Sequence, residues 1–216
     1  MMRFLRDFLH FLKTAPKRLS LYQVLNNFIS RNMFIQTENT PNPATLKFIP
    51  EDVEIAGNNP SEFKNSAAAV GQSILAEQLF LIAGVDAVFL GKDFVTITKS
   101  ETKNWQDIKT EILATIMDFC LSGKPALLQA KTVENNEEDS EIVKQIKELI
   151  EIKVRPAVAM DGGDIIYRGF ENGIVKLELK GSCSGCPSST ITLKSGIENM
   201  LKHYIPEVEG VEEVND

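Results

Sequence analysis

The chain reads as a mixed α/β (α+β) protein of two small domains joined by an acidic linker, each a short sheet packed on helices. Three observations lead there. Stretches with a two-residue apolar alternation intermingle with stretches of helical period. Turn signals bound each of them. One acidic, polar run without apolar period divides the chain. With 216 residues, 43% hydrophobic and 25% charged, there is enough material for two small cores.

Residues 1–32 stand apart as a basic leader or N-terminal extension. Arg3, Arg6, Lys13, Lys17, Arg18 and Arg31 face a single acid, Asp7. Two readings fit: a basic amphipathic helix of the organelle-transit kind, or an extension from an upstream start codon ahead of Met33. No secretory cleavage site follows the segment. Nor does any apolar run reach the ~18 residues a membrane span needs. The sequence therefore predicts a soluble protein without a membrane partner.

Residues 33–128 are read as the first domain. Phe34–Thr37 and Thr45–Ile49 are strands around the turn residues Thr40-Pro-Asn-Pro43. A helix carrying Val70 and Ile74 runs to Leu81. Val85–Leu90 and Phe94–Thr98 form a hairpin across Gly91-Lys92-Asp93. A last helix places Ile108, Ile112, Ile116 and Cys120 on one face and stops at Gly123 and Pro125. Cys120, on that apolar stripe, is expected in the core.

Residues 129–140 form the linker, with Glu134-Asn-Asn-Glu-Glu-Asp-Ser140 its most polar part. Residues 141–216 are the second domain. Its first helix shows Ile142, Ile146, Leu149 and Ile150 as a stripe and is expected to end near Arg155, because Pro156 disfavours helix at the residue before it. Asp164–Phe170 and Ile174–Lys180 are strands joined at Asn172-Gly173. In the second of them Val175, Leu177 and Leu179 alternate with Lys176, Glu178 and Lys180, predicting one buried and one wet face. A final helix from about Pro187 turns Leu193, Ile197, Leu201 and Tyr204 inward and ends before Pro206. A weak internal echo links Ile82-Ala-Gly-Val-Asp-Ala-Val88 with Val208-Glu-Gly-Val-Glu-Glu-Val214, each a Gly turn entering a strand.

The net charge of −7, with its acidic surplus after residue 32, argues against nucleic acid as a partner, since phosphate binding needs clustered positive charge. Three cysteines, two of them in one CxxC, do not form a secreted disulfide framework and are read as reduced thiols. The chemistry-bearing stretch is Lys180-Gly-Ser-Cys183-Ser-Gly-Cys186-Pro-Ser-Ser189, between a strand end and a helix start. Backbone N–H groups and the dipole at that helix start favour thiolate, the form that binds metal. Gly181 and Gly185 allow a tight turn, and Pro187 suits a first helical turn.

Cluster or iron binding, a zinc site and dithiol redox chemistry could each use such a loop. Structural zinc wants four ligands, and beyond Cys183 and Cys186 this domain adds only His203, about four turns down the helix. A thioredoxin-type framework needs a larger βαβ unit. A cubane or two-iron cluster held by cysteine needs four thiolates, so two chains would share one. Asp161 and Asp164, in Asp161-Gly-Gly-Asp164, are read as a sharp turn into a strand rather than as ligands.

Asp161-Gly-Gly-Asp164, the Gly-Ser-Cys-Ser-Gly-Cys-Pro-Ser-Ser stretch and Tyr204-Ile-Pro-Glu-Val-Glu-Gly-Val211 resemble the C-terminal cluster-binding domain of NifU. Met33-Phe-Ile-Gln-Thr-Glu-Asn-Thr-Pro-Asn-Pro43 resembles the N-terminal domain of the Nfu iron-sulfur scaffold proteins of mitochondria and α-proteobacteria. The resemblance covers about Met33 to Asp216. It implies a non-enzymatic scaffold or carrier, with Cys183 and Cys186 as ligands of a 4Fe-4S cluster bridging a homodimer, a 2Fe-2S cluster meeting the same ligand count. Implied partners are apo iron-sulfur proteins and upstream assembly factors. The first domain, lacking a ligand set, is expected to bind these proteins. For compartment, a chain that could start at Met33 and is rich in Asn, Lys and Ile leads to the expectation of a bacterial cytoplasm, with the mitochondrial matrix as the alternative if residues 1–32 are cleaved.

Overall fold

The computed structural model describes residues 34–128, 139–184 and 187–214, with only the backbone described for 187–191. The leader and most of the linker lie outside the described residues.

The first sheet has five strands: β1 (Ile35–Asn39), β2 (Thr45–Pro50), β3 (Ser61–Phe63), β4 (Val85–Leu90) and β5 (Val95–Lys99). Their order is β1-β2-β5-β4-β3 and every pairing is antiparallel. The β4–β5 hairpin falls where the sequence places it, whereas the three-residue edge strand β3 is too short to leave a periodic signal.

Helices α1 (Ser66–Ala69) and α2 (Ile74–Leu79) replace the single expected helix from Val70 to Leu81. Gly71 turns into the left-handed region at φ 69°, and Ser73 starts α2 by accepting the Ala76 N–H. Val70 and Leu81, 68% and 84% exposed, are consequently not core residues. Helix α3 (Trp105–Ser122) buries Ile108, Ile112, Ile116, Phe119 and Cys120 and ends at left-handed Gly123.

In the C-terminal half, α4 (Glu141–Leu149) starts at Ser140, whose hydroxyl accepts the Val143 N–H. It does not stop before Pro156. A five-residue π turn (Ile150–Val154) carries the chain into α5 (Arg155–Met160). There the Arg155 N–H bonds Ile150 O, five residues back. Pro156 then sits in the first turn of α5. The stripe continues through Ile146, Ile150, Val154 and Val158.

The second sheet is β6 (Gly163–Glu171), β7 (Ile174–Gly181) and β8 (Gly210–Glu213), in that order. Strands β6 and β7 form a hairpin whose turn residues Asn172 and Gly173 both have positive φ. Helix α6 (Pro187–Tyr204) crosses back so that β8 pairs parallel with β7. Ile165, Val175, Leu177, Leu179, Ile197 and Leu201 close the core with the α4 to α5 stripe. Tyr204 is 50% exposed rather than inward. The outer face of β7 is not wet at Glu178, which is 5% exposed and paired with Arg168 and Lys180.

Candidate functional site

Strand β7 ends at Gly181, and the chain bends there because Gly181 takes φ 68°. The bend presses Gly181 against two surfaces. A Cβ on it would lie 2.7 Å from Gly162 O and 2.9 Å from Phe89 Cδ1. Ser182 N–H donates to Gly162 O at 3.2 Å, Ser184 N–H donates to Gly181 O at 3.1 Å, and the Ser182 hydroxyl donates to Asp161 O. The Asp161-Gly-Gly turn and the start of the cysteine loop are thus one hydrogen-bonded unit.

Cys183 follows with 3% exposure, in the same core cluster as Ile165 and Leu179. It fits because residue 163 is glycine: a Cβ there would stand 2.8 Å from Cys183 Sγ and 2.6 Å from Lys180 O. Cys186 lies outside the described residues, and α6 begins at Pro187, so the strand-to-helix setting of the loop matches the expectation.

Asp161 caps the end of α5, and Asp164 is buried against Arg155 Nε at 2.9 Å. Burial raises the Asp164 pKa and outweighs the lowering by Arg155. The Arg155 guanidinium also donates to Ile165 O at 3.1 Å and pairs with Glu151. Asp161 therefore stands in the turn the sequence suggests, and Asp164 in the strand that follows it, tied to α5 through Arg155. His203 is exposed at the far end of α6, edge-on to Tyr204. Cys120 is buried in the first half, where desolvation raises its thiol pKa.

Residues of the first sheet reach the loop, and the sequence did not flag them. Lys47, Thr96, Phe89 and Glu62 are aligned across β2, β5, β4 and β3 by the strand registers Lys47↔Thr96, Thr96↔Phe89 and Phe89↔Glu62. Lys47 Nζ donates to Met160 O at 3.3 Å, and the Thr96 hydroxyl donates to Gly162 O at 2.7 Å. The Phe89 ring abuts Gly181, and Glu62 Oε1 accepts the Gly181 N–H at 2.9 Å. Burial pushes the Glu62 carboxyl above its usual range, against the lowering by the Gly181 N–H, Lys64 and Lys180. One trace was visible beforehand: Lys47 and Thr96 are polar positions flanked by apolar ones on short strands, which ordinarily marks a wet face. They are 8% and 1% exposed, respectively.

Comparison with known proteins places these features in a family. Residues 35–123 match the family described as "Scaffold protein Nfu/NifU N terminal", and residues 146–212 match "NifU-like domain". A Drosophila ananassae protein named "NFU1 iron-sulfur cluster scaffold homolog, mitochondrial" is 53% identical over 191 residues, covering 87% of this chain and 66% of its own length. The Homo sapiens protein of that name is 54% identical over 189 residues, 86% of this chain and 74% of its own. A NifU-like protein from Saccharomyces cerevisiae solved by NMR is 31% identical and covers 45% of this chain and 87% of that one, with a TM-score of 0.42. The chain thus spans about two thirds of the length of the Drosophila relative.

These relatives are named as scaffolds, not enzymes, and as mitochondrial, which overturns the expectation of a bacterial cytoplasm. That expectation rested on residue composition and a start at Met33, and neither carries compartment information comparable to identity above 50% with mitochondrial proteins. With both family models matched in order and relatives this similar, the chain belongs to the Nfu/NifU-like family of iron-sulfur cluster scaffold proteins.

Proposed function

We propose that this protein is a mitochondrial carrier that holds a 4Fe-4S cluster between two chains through Cys183 and Cys186 of each and hands it to apo iron-sulfur proteins. The cluster is cargo, and the protein makes no chemical conversion of its own. The observation that carries the reading is the loop itself, a glycine-bent strand end bearing Cys183 and leading to a helix start at Pro187. Two thiolates per chain meet the four-cysteine requirement only when two chains meet. A helix start favours the thiolate form, and a cluster shared at an interface is released when that interface opens. Residues 35–123 bring no second CxxC, which agrees with a division of labour between a cluster-holding half and a half that contacts clients and upstream assembly factors.

The test is anaerobic reconstitution with iron and sulfide. Wild type is expected to turn brown, to dimerise as it does so and to hold about four iron and four sulfide per two chains. Iron without sulfide would convert the reading to iron supply. A colourless monomer whose Cys183 and Cys186 cycle as a disulfide would replace it with dithiol redox chemistry.

A further inference from the structure

Cys183 is 3% exposed beneath Gly163, yet a cluster shared with a second chain must reach its sulfur from outside. The loop therefore has to move before loading, and part of what holds it in place lies in the other half of the chain. The row Lys47, Thr96, Phe89 and Glu62 crosses four strands of the first sheet and makes four contacts, at Met160, at Gly162 and twice at Gly181 where the loop begins. Thr96 and Glu62 grip its two strands of backbone separately, one at Gly162 O and the other at Gly181 N. Gly162 O also accepts Ser182 N–H, so the hydroxyl of Thr96 and the residue next to Cys183 share one acceptor.

Three of the four contacts use a polar side chain that would otherwise face water. Thr96 is 1% exposed, and Lys47 points its ammonium over the Phe94 ring at 4.7 Å while reaching Met160 O. Such a polar contact between two cored halves is satisfied when closed, and both partners can be rehydrated when it opens. This makes it a reversible fastening rather than a permanent core.

We infer that the first sheet is a latch on the cysteine loop: Glu62 and Thr96 hold the Gly162 and Gly181 turns so that Cys183 stays buried, and the halves part for a cluster to be taken up. The inference rests on the carrier reading for its purpose, but the latch can be tested without iron. In the apo full-length chain, alkylation by iodoacetamide is followed separately at Cys183 and Cys120 by peptide mass spectrometry. Cys120, on α3 of the first half beside a surface cavity, serves as the internal reference for effects that reach beyond the loop.

In the double variant Glu62→Ala, Thr96→Val, Cys183 is expected to react about tenfold faster, the effect of losing two hydrogen bonds from a local opening equilibrium. Cys120 keeps its wild-type rate. Glu62→Gln, which retains an acceptor oxygen for Gly181 N–H, stays within about twofold of wild type. An unchanged or slower Cys183 rate in the double variant overturns the latch. Should Cys120 accelerate in parallel, amide exchange at Gly181 in the wild-type chain decides: protection matching the β7 amides supports the latch, and exchange at the unfolded-chain rate overturns it. Colourless reconstitution alongside the expected alkylation pattern would reject the carrier and leave the latch standing. Normal cluster loading with no alkylation difference would do the reverse.

Discussion

Cys120 and Cys183 are both buried, at 8% and 3% exposure, but they are buried in different ways. Cys120 sits on the inner stripe of an 18-residue helix, one apolar residue among Ile112, Ile116 and Phe119. Cys183 sits one residue beyond a glycine-bent strand and a serine, against a second glycine whose missing side chain makes its room. A side chain on a long helix is held through many packed neighbours, and Cys120 borders a surface cavity lined also by Phe119 and Gly123. A hydrogen-bonded turn at the end of a strand can expose a side chain by a local movement. Burial alone thus says little about whether a thiol is available for chemistry; the way in which it is held says more.

Four experiments probe how differently the two thiols and their surroundings behave. Replacing Cys183 by Ala should abolish cluster loading and the accompanying dimer, read by iron content and mass in solution, because two chains would offer two thiolates where four are needed. Retained colour in that variant would mean that the cluster has other ligands.

Gly163→Ala comes next. Its Cβ would meet Lys180 O at 2.6 Å and Cys183 Sγ at 2.8 Å, so about 2–4 kcal/mol of stability should be lost in urea titration, as for overpacking at a rigid site. A loss under about 0.5 kcal/mol would show that the turn yields easily.

Cys120→Ser puts a hydroxyl into an apolar cluster and should cost about 1–3 kcal/mol, while iron content after reconstitution stays at the wild-type level. Reduced loading there would collapse the distinction between the two thiols.

The smallest effect concerns pH. Burial raises the Glu62 pKa, so its neutral form is favoured in the folded chain. That contribution is fully present below the unfolded value of 4.5 and is lost as pH rises through the folded value. Glu62→Gln, neutral throughout, should therefore match wild type at low pH and gain on it as the pH rises toward neutrality, measured by denaturant titration. Wild type gaining on the variant as the pH rises would mean that Lys64, Lys180 and the Gly181 N–H outweigh desolvation.

Local pattern carried much of the architecture. The β4–β5 and β6–β7 hairpins, the α3 stripe through Cys120 and the start of α6 at Pro187 are each written in neighbouring residues: turn glycines, apolar period, a proline at a helix start. Reading failed where a local signal had two structural answers. Pro156 ends a helix in most settings, yet a preceding π turn lets the chain continue. The apolar run near Ile74 suggested one helix where Gly71 makes two.

The candidate site divides along the same line. CxxC, the flanking glycines and the strand-to-helix setting are contiguous in sequence, so they stood out at once as a candidate site, as did the Asp161-Gly-Gly turn leading into the strand that holds Asp164. Lys47, Phe89, Thr96 and Glu62 were not, since they come from four strands and become one row only through sheet register. The linear chain thus specified where most strands and helices run and which residues are the candidate ligands, because those properties depend on residues close in sequence. Folding decided that Cys183 is covered and which distant side chains hold the loop, because burial and cross-sheet contact arise only when segments far apart in the chain are packed together.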